Sequence, residues 1–115
     1  MAEAIGRGLR EAGAEADLCP ASDGGEGTVA ALLAALGGEL RTAHAHDPLD
    51  REIEARFAIL ERTPGGSGPT AAVEVAEASG LGRVAEGKRD PEAASSRGTG
   101  ELIAAAVAAG ARRVL

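Results

Sequence analysis

Residues 22–28, Ser-Asp-Gly-Gly-Glu-Gly-Thr, hold the groups of this chain whose types and spacing are best suited to chemistry. Asp23 and Glu26 supply carboxylates that can take up a proton or hold a metal ion, and Thr28 adds a hydroxyl. The three glycines between them expose backbone N–H groups where a helix is predicted to begin, at the positive end of its dipole. Phosphates and carboxylates bind at such places, so this segment is the first candidate site.

A structural interpretation of the same residues stays open. Asp23 is a residue type that commonly caps helices, and Glu26 follows three residues later, as in a capping box. The spacing excludes two well-known phosphate loops. No Gly-Lys-Ser/Thr follows, as a Walker A loop requires, and the glycines lack the G-x-G-x-x-G spacing of dinucleotide-binding loops.

A second glycine motif, Ser95-Ser-Arg-Gly-Thr-Gly100, also precedes a predicted helix. Its hydroxyls, its backbone N–H groups and its guanidinium are suited to a phosphate or a carboxylate. The candidate ligands are Ser96, Arg97, Gly98 and Thr99. The alternative is that Thr99 only caps the helix that follows.

Other polar residues give weaker signals. His44 and His46 share a face of a predicted strand, but a metal site would need a third ligand, so solvated histidines are expected and no metal site is predicted. Glu74 and Glu77 flank a short apolar segment. An exposed or ion-paired carboxylate is the common case there, and the alternative for Glu74 is that it faces a cleft.

The elements that must position these groups follow from the spacing of apolar residues. Helices are predicted over Ala2–Ala12, from Val29 to Leu36 and over Gly98–Ala109, with Leu102, Ile103, Ala106 and Val107 facing inward in the last, and a helical turn over Pro91–Ala94. Strands are predicted over Ala14–Pro20, Leu40–His46, Arg51–Leu60, Ala71–Ala76 and Ala111–Leu115, and exposed loops over Thr63–Pro69 and Ser79–Arg89.

The two long strands are predicted to form an antiparallel hairpin with one solvent-facing side, closed by a turn over Asp47–Asp50. Helices mixed with strands and one hairpin indicate an α/β fold with a mixed sheet and flanking helices. No linker or internal repeat divides the chain, so residues 1–115 are expected to form one domain.

The composition limits the classes of function. The 115 residues are 44% hydrophobic, but they include one Phe and no Trp or Tyr, so a shallow core of small side chains is expected. The net charge of −6 argues against a nucleic-acid partner, whose phosphates need a basic surface. The longest apolar run, Ile103 to Ala109, is too short to cross a bilayer, and nothing resembles a signal peptide, so no membrane partner and a cytoplasmic location are expected.

Five motifs, taken in order, resemble the bacterial glycerate kinases, the family of the glycerate 2-kinases, along almost the whole chain. They are Asp23-Gly-Gly-Glu-Gly-Thr28, Gly37-Gly-Glu-Leu40, Asp47-Pro-Leu49, Glu74 through Ala78-Ser-Gly-Leu81, and Gly98-Thr-Gly-Glu-Leu-Ile103. The resemblance implies an enzyme that phosphorylates D-glycerate with ATP and Mg²⁺ to give a phosphoglycerate and ADP.

The resemblance also implies roles for the residues above. Asp23 and Glu26 become the catalytic candidates, as proton acceptor or magnesium contact. The candidate ligands for glycerate or phosphate are Gly24, Gly25, Gly27 and Thr28 in the first motif and the four residues named in the second.

By the same resemblance the chain is expected to be an internal N-terminal portion of the glycerate kinase fold, one partial domain truncated at both ends. We expect it to be inactive as an isolated fragment and to self-associate through apolar surface that a missing strand would cover. The alternative is a non-catalytic fragment or anion-binding module.

Overall fold

The computed structural model describes residues 2–18, 25–62 and 68–115. Its elements, in chain order, are α1 (Ala2–Glu11), α2 (Thr28–Leu36), β1 (Gly38–His46), β2 (Glu52–Leu60), β3 (Thr70–Val73), α3 (Val75–Ser79), α4 (Arg97–Ala108) and β4 (Arg113–Val114), with 3₁₀ turns at Leu81–Arg83 and Glu86–Lys88. No helix in these three described ranges is both long and apolar enough to cross a membrane.

The four strands form one mixed sheet in the order β1-β2-β3-β4. The pairs β1–β2 and β2–β3 are antiparallel, whereas β4 is parallel to β3. In the β1–β2 hairpin, Gly38 lies opposite Leu60 and His46 lies opposite Glu52. The α/β class, the mixed sheet and the hairpin predicted from the sequence are therefore confirmed.

The turn between β1 and β2 is built around the buried carboxylate of Asp47. Its Oδ1 accepts hydrogen bonds from the N–H groups of Leu49 (2.9 Å) and Arg51 (3.0 Å), and its Oδ2 accepts one from Arg51 Nε (2.6 Å). Burial raises the pKa of Asp47, but these hydrogen bonds and the Arg51 charge outweigh burial, so the pKa is lowered. The turn is thus held by an ionised aspartate.

Helices cover both faces of the sheet. On one face α4 contributes Leu102 and Ala106 to a core that includes Ala55 and Phe57 of β2. On the other face Val29 of α2 packs with Ala58, Leu60 and Ala72 of the strands. The helix leucines, Leu32, Leu33 and Leu36, pack beside them. Alanine dominates the first cluster, as the composition predicts, and supplies half of the buried residues of the second.

The second helix layer corrects the prediction of a hairpin with one wet face. On the polar side of β2, the side chains from Glu52 as far as Arg56 are exposed. Further along the strand, Ala58 and Leu60 on that same side are buried. The reason is α2, which packs across that end of the strand. On α4 the inward stripe is narrower than predicted, because Ile103 (42% exposed) and Val107 (55%) face away from the sheet.

Two predicted strands are also corrected. The described part of Ala14–Pro20, residues 14–18, forms no strand, since it lies outside the sheet and so has no partner for its backbone groups. The strand predicted over Ala71–Ala76 ends at Val73, and α3 follows at once because its alanines favour a helix. Residues 79–89 contain the two 3₁₀ turns, and most of the predicted Thr63–Pro69 loop lies outside the described residues.

Helix α1 has the predicted amphipathic pattern, but its apolar side is not buried. Ile5 is 59% exposed and Leu9 is 44% exposed. Close packing is seen at Gly6, where an added Cβ would meet the side chain of Leu18 at 2.4 Å. The core of the described chain is therefore made by the sheet, α2, α4 and Ala78 of α3.

Candidate functional site

The first glycine motif leads into α2, and its helix start is capped from a distant part of the chain. Helix α2 begins at Thr28, with Gly27 as N-cap residue at φ 92°. Glu74, at the end of β3, is 9% exposed. One of its oxygens accepts a hydrogen bond from the Gly27 N–H (2.9 Å) and the other accepts one from the Val29 N–H (3.3 Å). Glu74 thus satisfies two N–H groups that a helix leaves without an internal partner.

This arrangement corrects the predicted capping box. Glu26 precedes the helix and is exposed, so it does not lie in the first turn as a capping-box glutamate does. The cause is Gly27, whose left-handed backbone, easily adopted by glycine, delays the helix start to Thr28. The Thr28 hydroxyl donates to the Gly25 carbonyl at 2.7 Å. Asp23 and Gly24 lie outside the described residues.

A cleft of about 460 Å³ opens beside this helix start. Glu26, Gly27 and Glu74 line it together with apolar residues of α2, and so do Arg56 and Arg83. We call it the α2 cleft. It places the described carboxylate and glycine of the first motif in one cavity with two guanidinium groups and with the carboxylates of Glu74 and Glu77.

The two arginines of the α2 cleft share one carboxylate, that of Glu77 in α3. Glu77 accepts hydrogen bonds from Arg56 through the side-chain Nε (3.2 Å) and the backbone N–H (3.2 Å), and from Arg83 at 3.2 Å. The hydrogen bonds from Arg56 lower the pKa of Glu77 and outweigh its partial burial, and the charges of both arginines add to the effect. Glu77 is therefore ionised and orients both cations.

The second glycine motif leads into α4, which begins at Arg97 with Ser96 as N-cap residue. The Ser95 hydroxyl accepts a hydrogen bond from the Arg97 N–H at 3.1 Å. Thr99 lies in the first turn, and its hydroxyl is 2.7 Å from the hydroxyl of Ser79. The prediction that Thr99 caps the helix is wrong, because its hydroxyl is directed to α3 rather than to an N–H group of its own helix start.

Gly98 sits where α4 crosses the end of β1. A Cβ added at this glycine would lie 1.8 Å from the backbone oxygen of His46 and 3.1 Å from Ala78. Only glycine allows the two backbones to approach so closely. Gly98 therefore has a packing role, whatever it contributes to binding.

Arg97 belongs to a chain of charged groups along the outside of this junction. It donates to Asp50 at 2.8 Å, and its Nε lies 2.9 Å from Glu101. Glu101 in turn accepts the backbone N–H of His46 at 2.9 Å and lies 2.9–3.0 Å from His46 Nδ1. The hydrogen bond to His46 is the main cause that lowers the pKa of Glu101, with a further contribution from Arg97.

The histidine pair does not form a metal site in the described part of the chain. His44 is exposed, whereas His46 is bound to Glu101. Across residues 2–18, 25–62 and 68–115, no group of three or more His, Cys, Asp or Glu side chains is placed to hold a metal ion.

Helix α3 links the two glycine motifs. At its start Glu74 contacts Gly27, and at its end Ser79 contacts Thr99. Among the residues that the structure describes, however, the two motifs are not seen to line the same cavity. The first lines the α2 cleft, while a second, more apolar cavity of about 380 Å³ lies beside Leu81 and the hairpin turn and reaches Ser79.

Sequence reasoning missed two residues of the site, Arg56 and Arg83. Glu74 lines the cleft, as the alternative for it held, but its role as a buried helix cap was not predicted. A glutamate directly after a short apolar strand was the available signal for Glu74. No local pattern indicates that Arg56 and Arg83 meet at Glu77, because the two lie on different elements.

The described chain is thus an α/β protein in which two glycine motifs each lead into a helix. Comparison with known proteins specifies it further. The sequence pattern of the glycerate kinase family matches residues 1–115, so the chain belongs to the glycerate kinase family.

Individual relatives agree with this assignment. The chain is 44% identical to glycerate 2-kinase of Escherichia coli over 100% of its own length and 43% identical to glycerate kinase of Bacillus subtilis over 99%. A crystal structure assigned as glycerate kinase 2 from Salmonella typhimurium LT2 superposes with a TM-score of 0.75 at 36% identity, covering 97% of this chain and 30% of that one. The chain spans about 29% of the length of the two curated relatives.

Proposed function

We propose that this chain provides part of the active site of a glycerate kinase, which transfers a phosphoryl group from ATP to D-glycerate and releases ADP. The observation that carries the proposal is the family match over all 115 residues. The relatives named as glycerate kinases and the polar α2 cleft beside the first glycine motif support it.

The proposed roles follow from what phosphoryl transfer to an alcohol requires. The acceptor hydroxyl must be placed in line, its proton must be taken up, and the charge on the phosphoryl oxygens must be stabilised. We propose Asp23 as proton acceptor, with Glu26 beside the α2 cleft as the second carboxylate. Gly24, Gly25, Gly27 and Thr28 would form the loop that orients the substrate.

The second motif is proposed to bind an anionic part of either substrate through Ser96, Arg97, Gly98 and Thr99. Arg97 is 53% exposed in its side chain, so it can reach a bound anion while it stays paired with Asp50 and Glu101. A guanidinium presents several N–H donors and suits phosphate or carboxylate.

The donors present fit the anionic groups of ATP, which supplies the phosphoryl group when bound. Arg83 in the α2 cleft and Arg97 at α4 are the guanidinium groups that would contact phosphate oxygens. For Mg²⁺, one or two carboxylates and the substrate phosphates are the usual ligands, and Asp23 and Glu26 are the proposed carboxylates. We further propose that residues 1–115 fold as one domain, that the enzyme is cytoplasmic, and that the chain self-associates through the exposed side of α1.

A hybrid enzyme tests the function directly. In the Escherichia coli glycerate 2-kinase, the stretch that aligns with this chain is replaced by this chain, and ADP formation is measured with and without D-glycerate. We expect glycerate-dependent ADP formation that requires ATP. The unmodified enzyme, purified and assayed in parallel, is the control.

The second candidate function is a non-catalytic role for this segment. It is favoured by the engagement of Gly27 with Glu74 and of Arg97 with Asp50, because donors that already have a partner are not available to a reacting substrate. A folded hybrid enzyme that forms no ADP in response to glycerate, beside an active control, would favour this candidate and contradict the proposed kinase role.

A further inference from the structure

Glu74 is the side chain that ties the first glycine motif to the sheet. Its backbone follows β3 directly, so its position is fixed by the strand pairs of Val73 with Phe57 on one side and the start of α3 on the other. Its two oxygens bind the N–H groups of Gly27 and Val29 at 2.9 and 3.3 Å. The carboxylate is almost fully buried and lines the α2 cleft.

The position of Glu74 is the one that an external anion would take at the start of α2. A helix N-terminus attracts a negative group through its dipole and its unpaired N–H groups. Here the protein supplies that group itself, and it does so from a residue 47 positions away from Gly27. An ordinary cap comes from the residues next to the helix and would leave the motif free to move relative to the sheet.

We propose that Glu74 is a positioning residue that acts through the first glycine motif: it fixes Gly27, and with it the neighbouring carboxylate of Glu26, relative to the α2 cleft. The inference rests on the proposed kinase function. Glu74 itself contacts the N–H groups of Gly27 and Val29 and takes no part in the proton transfer. Phosphoryl transfer depends on position, so a motif released from Glu74 loses rate even where the fold survives.

The test compares Glu74→Gln with Glu86→Gln in the hybrid enzyme. Glutamine keeps the size of the side chain, but it has one oxygen where glutamate has two, and its NH₂ group faces an N–H donor. Glu86 lies exposed in the Glu86–Lys88 turn, away from the α2 cleft, so its substitution removes the same charge without touching the motif.

Kinetics are measured well below the melting temperature of each variant, so that every variant is folded. We expect kcat of Glu74→Gln to fall by about tenfold or more, since misplacement of reacting groups acts on the chemical step. The KM for ATP should stay within about twofold, and Glu86→Gln should match the parent in both constants. A lower melting temperature with an unchanged kcat would show that Glu74 only stabilises the fold and would overturn the proposal.

A double-mutant cycle with Glu26→Gln tests whether Glu74 acts through the motif. If it does, Glu74→Gln added to Glu26→Gln lowers kcat by much less than it does alone, because the group that it positions is already disabled. Fully additive losses would mean that Glu74 acts independently of the motif and would contradict the proposal.

Hydrogen exchange separates this inference from the proposed function. In a peptide covering residues 25–29, the amide exchange should become about tenfold faster in Glu74→Gln than in Glu86→Gln, because one N–H group loses its acceptor and the other keeps only the oxygen of a neutral amide. This measurement needs no turnover. If the hybrid enzyme were inactive, the kinase role would fail while the exchange data would still decide whether Glu74 holds the motif; unchanged exchange would refute the inference.

Discussion

Asp23 has two interpretations, as a helix cap and as a proton acceptor, and the structure alters the balance between them. The N-cap residue of α2 is Gly27. Glu74 accepts hydrogen bonds from the N–H groups of Gly27 and Val29. A cap contributed by Asp23 is therefore not needed for these two groups. The chemical role of Asp23 stays a proposal, and a single substitution examines it.

We predict that Asp23→Asn in the hybrid enzyme lowers turnover by roughly a hundredfold or more, the usual scale for a lost general base. The melting temperature should hardly change, because asparagine caps helices about as well as aspartate does. Steady-state kinetics and thermal denaturation of the same preparation provide the two measurements. Near-normal turnover would remove Asp23 from the proposed catalytic residues.

At the scale of elements, the contact between α4 and β1 depends on Gly98. The backbone of the helix lies so close to His46 that an added Cβ would be 1.8 Å from its carbonyl oxygen. Gly100, two residues further along the same helix, has no atom within 4 Å of an added Cβ. The two glycines therefore form a matched pair with opposite expectations.

We predict that Gly98→Ala destabilises the hybrid enzyme by about 3 kcal/mol or more, at the upper end of the cost of overpacking, because a backbone cannot yield as a side chain does. Gly100→Ala should be neutral or stabilising by up to about 1 kcal/mol, since alanine favours a helix over glycine. Chemical denaturation of both variants measures the difference. Equal stabilities would show that α4 can shift away from β1 without cost.

At the scale of the whole molecule, three carboxylates hold parts of the fold together. One of them closes a turn, and the other two join elements that are distant in the sequence. The pKa values of Asp47, Glu77 and Glu101 are all lowered, by arginine in the first two and chiefly by His46 in the third. A carboxylate whose pKa is lower in the folded state binds protons more readily when the chain is unfolded. Its stabilising contribution is present above the unfolded pKa and is lost as the pH falls through the folded pKa.

We predict that the melting temperature of the hybrid enzyme is nearly constant from neutral pH to about pH 5 and falls as the pH drops below about 4, the range of unperturbed carboxylates. Glu77→Gln should melt at a lower temperature than the parent at pH 7. The gap between the two should narrow as the pH falls, since protonation removes the same ion pair from the parent. A gap that stays constant down to pH 3 would exclude a stabilising charge on Glu77.

Much of the fold was predictable from the sequence because it depends on local periodicity. The alternation around Ile53, Ala55 and Phe57 specified β2, and the turn residues at Asp47–Asp50 specified the hairpin. The spacing of Leu32, Leu33 and Leu36 specified α2, and the glycines on either side marked where the helix begins and ends. The family resemblance rested on the same short motifs, and the match over residues 1–115 confirmed it.

The tertiary structure alone decided the contacts between elements that are far apart in the chain. That Ala58 and Leu60 are buried on the polar side of β2 depends on α2 packing there. Two other contacts depend on the position of β3 in the sheet and of α3 beside it. Glu74 caps α2, and Arg56 and Arg83 meet at Glu77. The physical reason is that periodicity records which side of an element is apolar, whereas the partner of a buried polar group is set by the packing of elements, which no local pattern encodes.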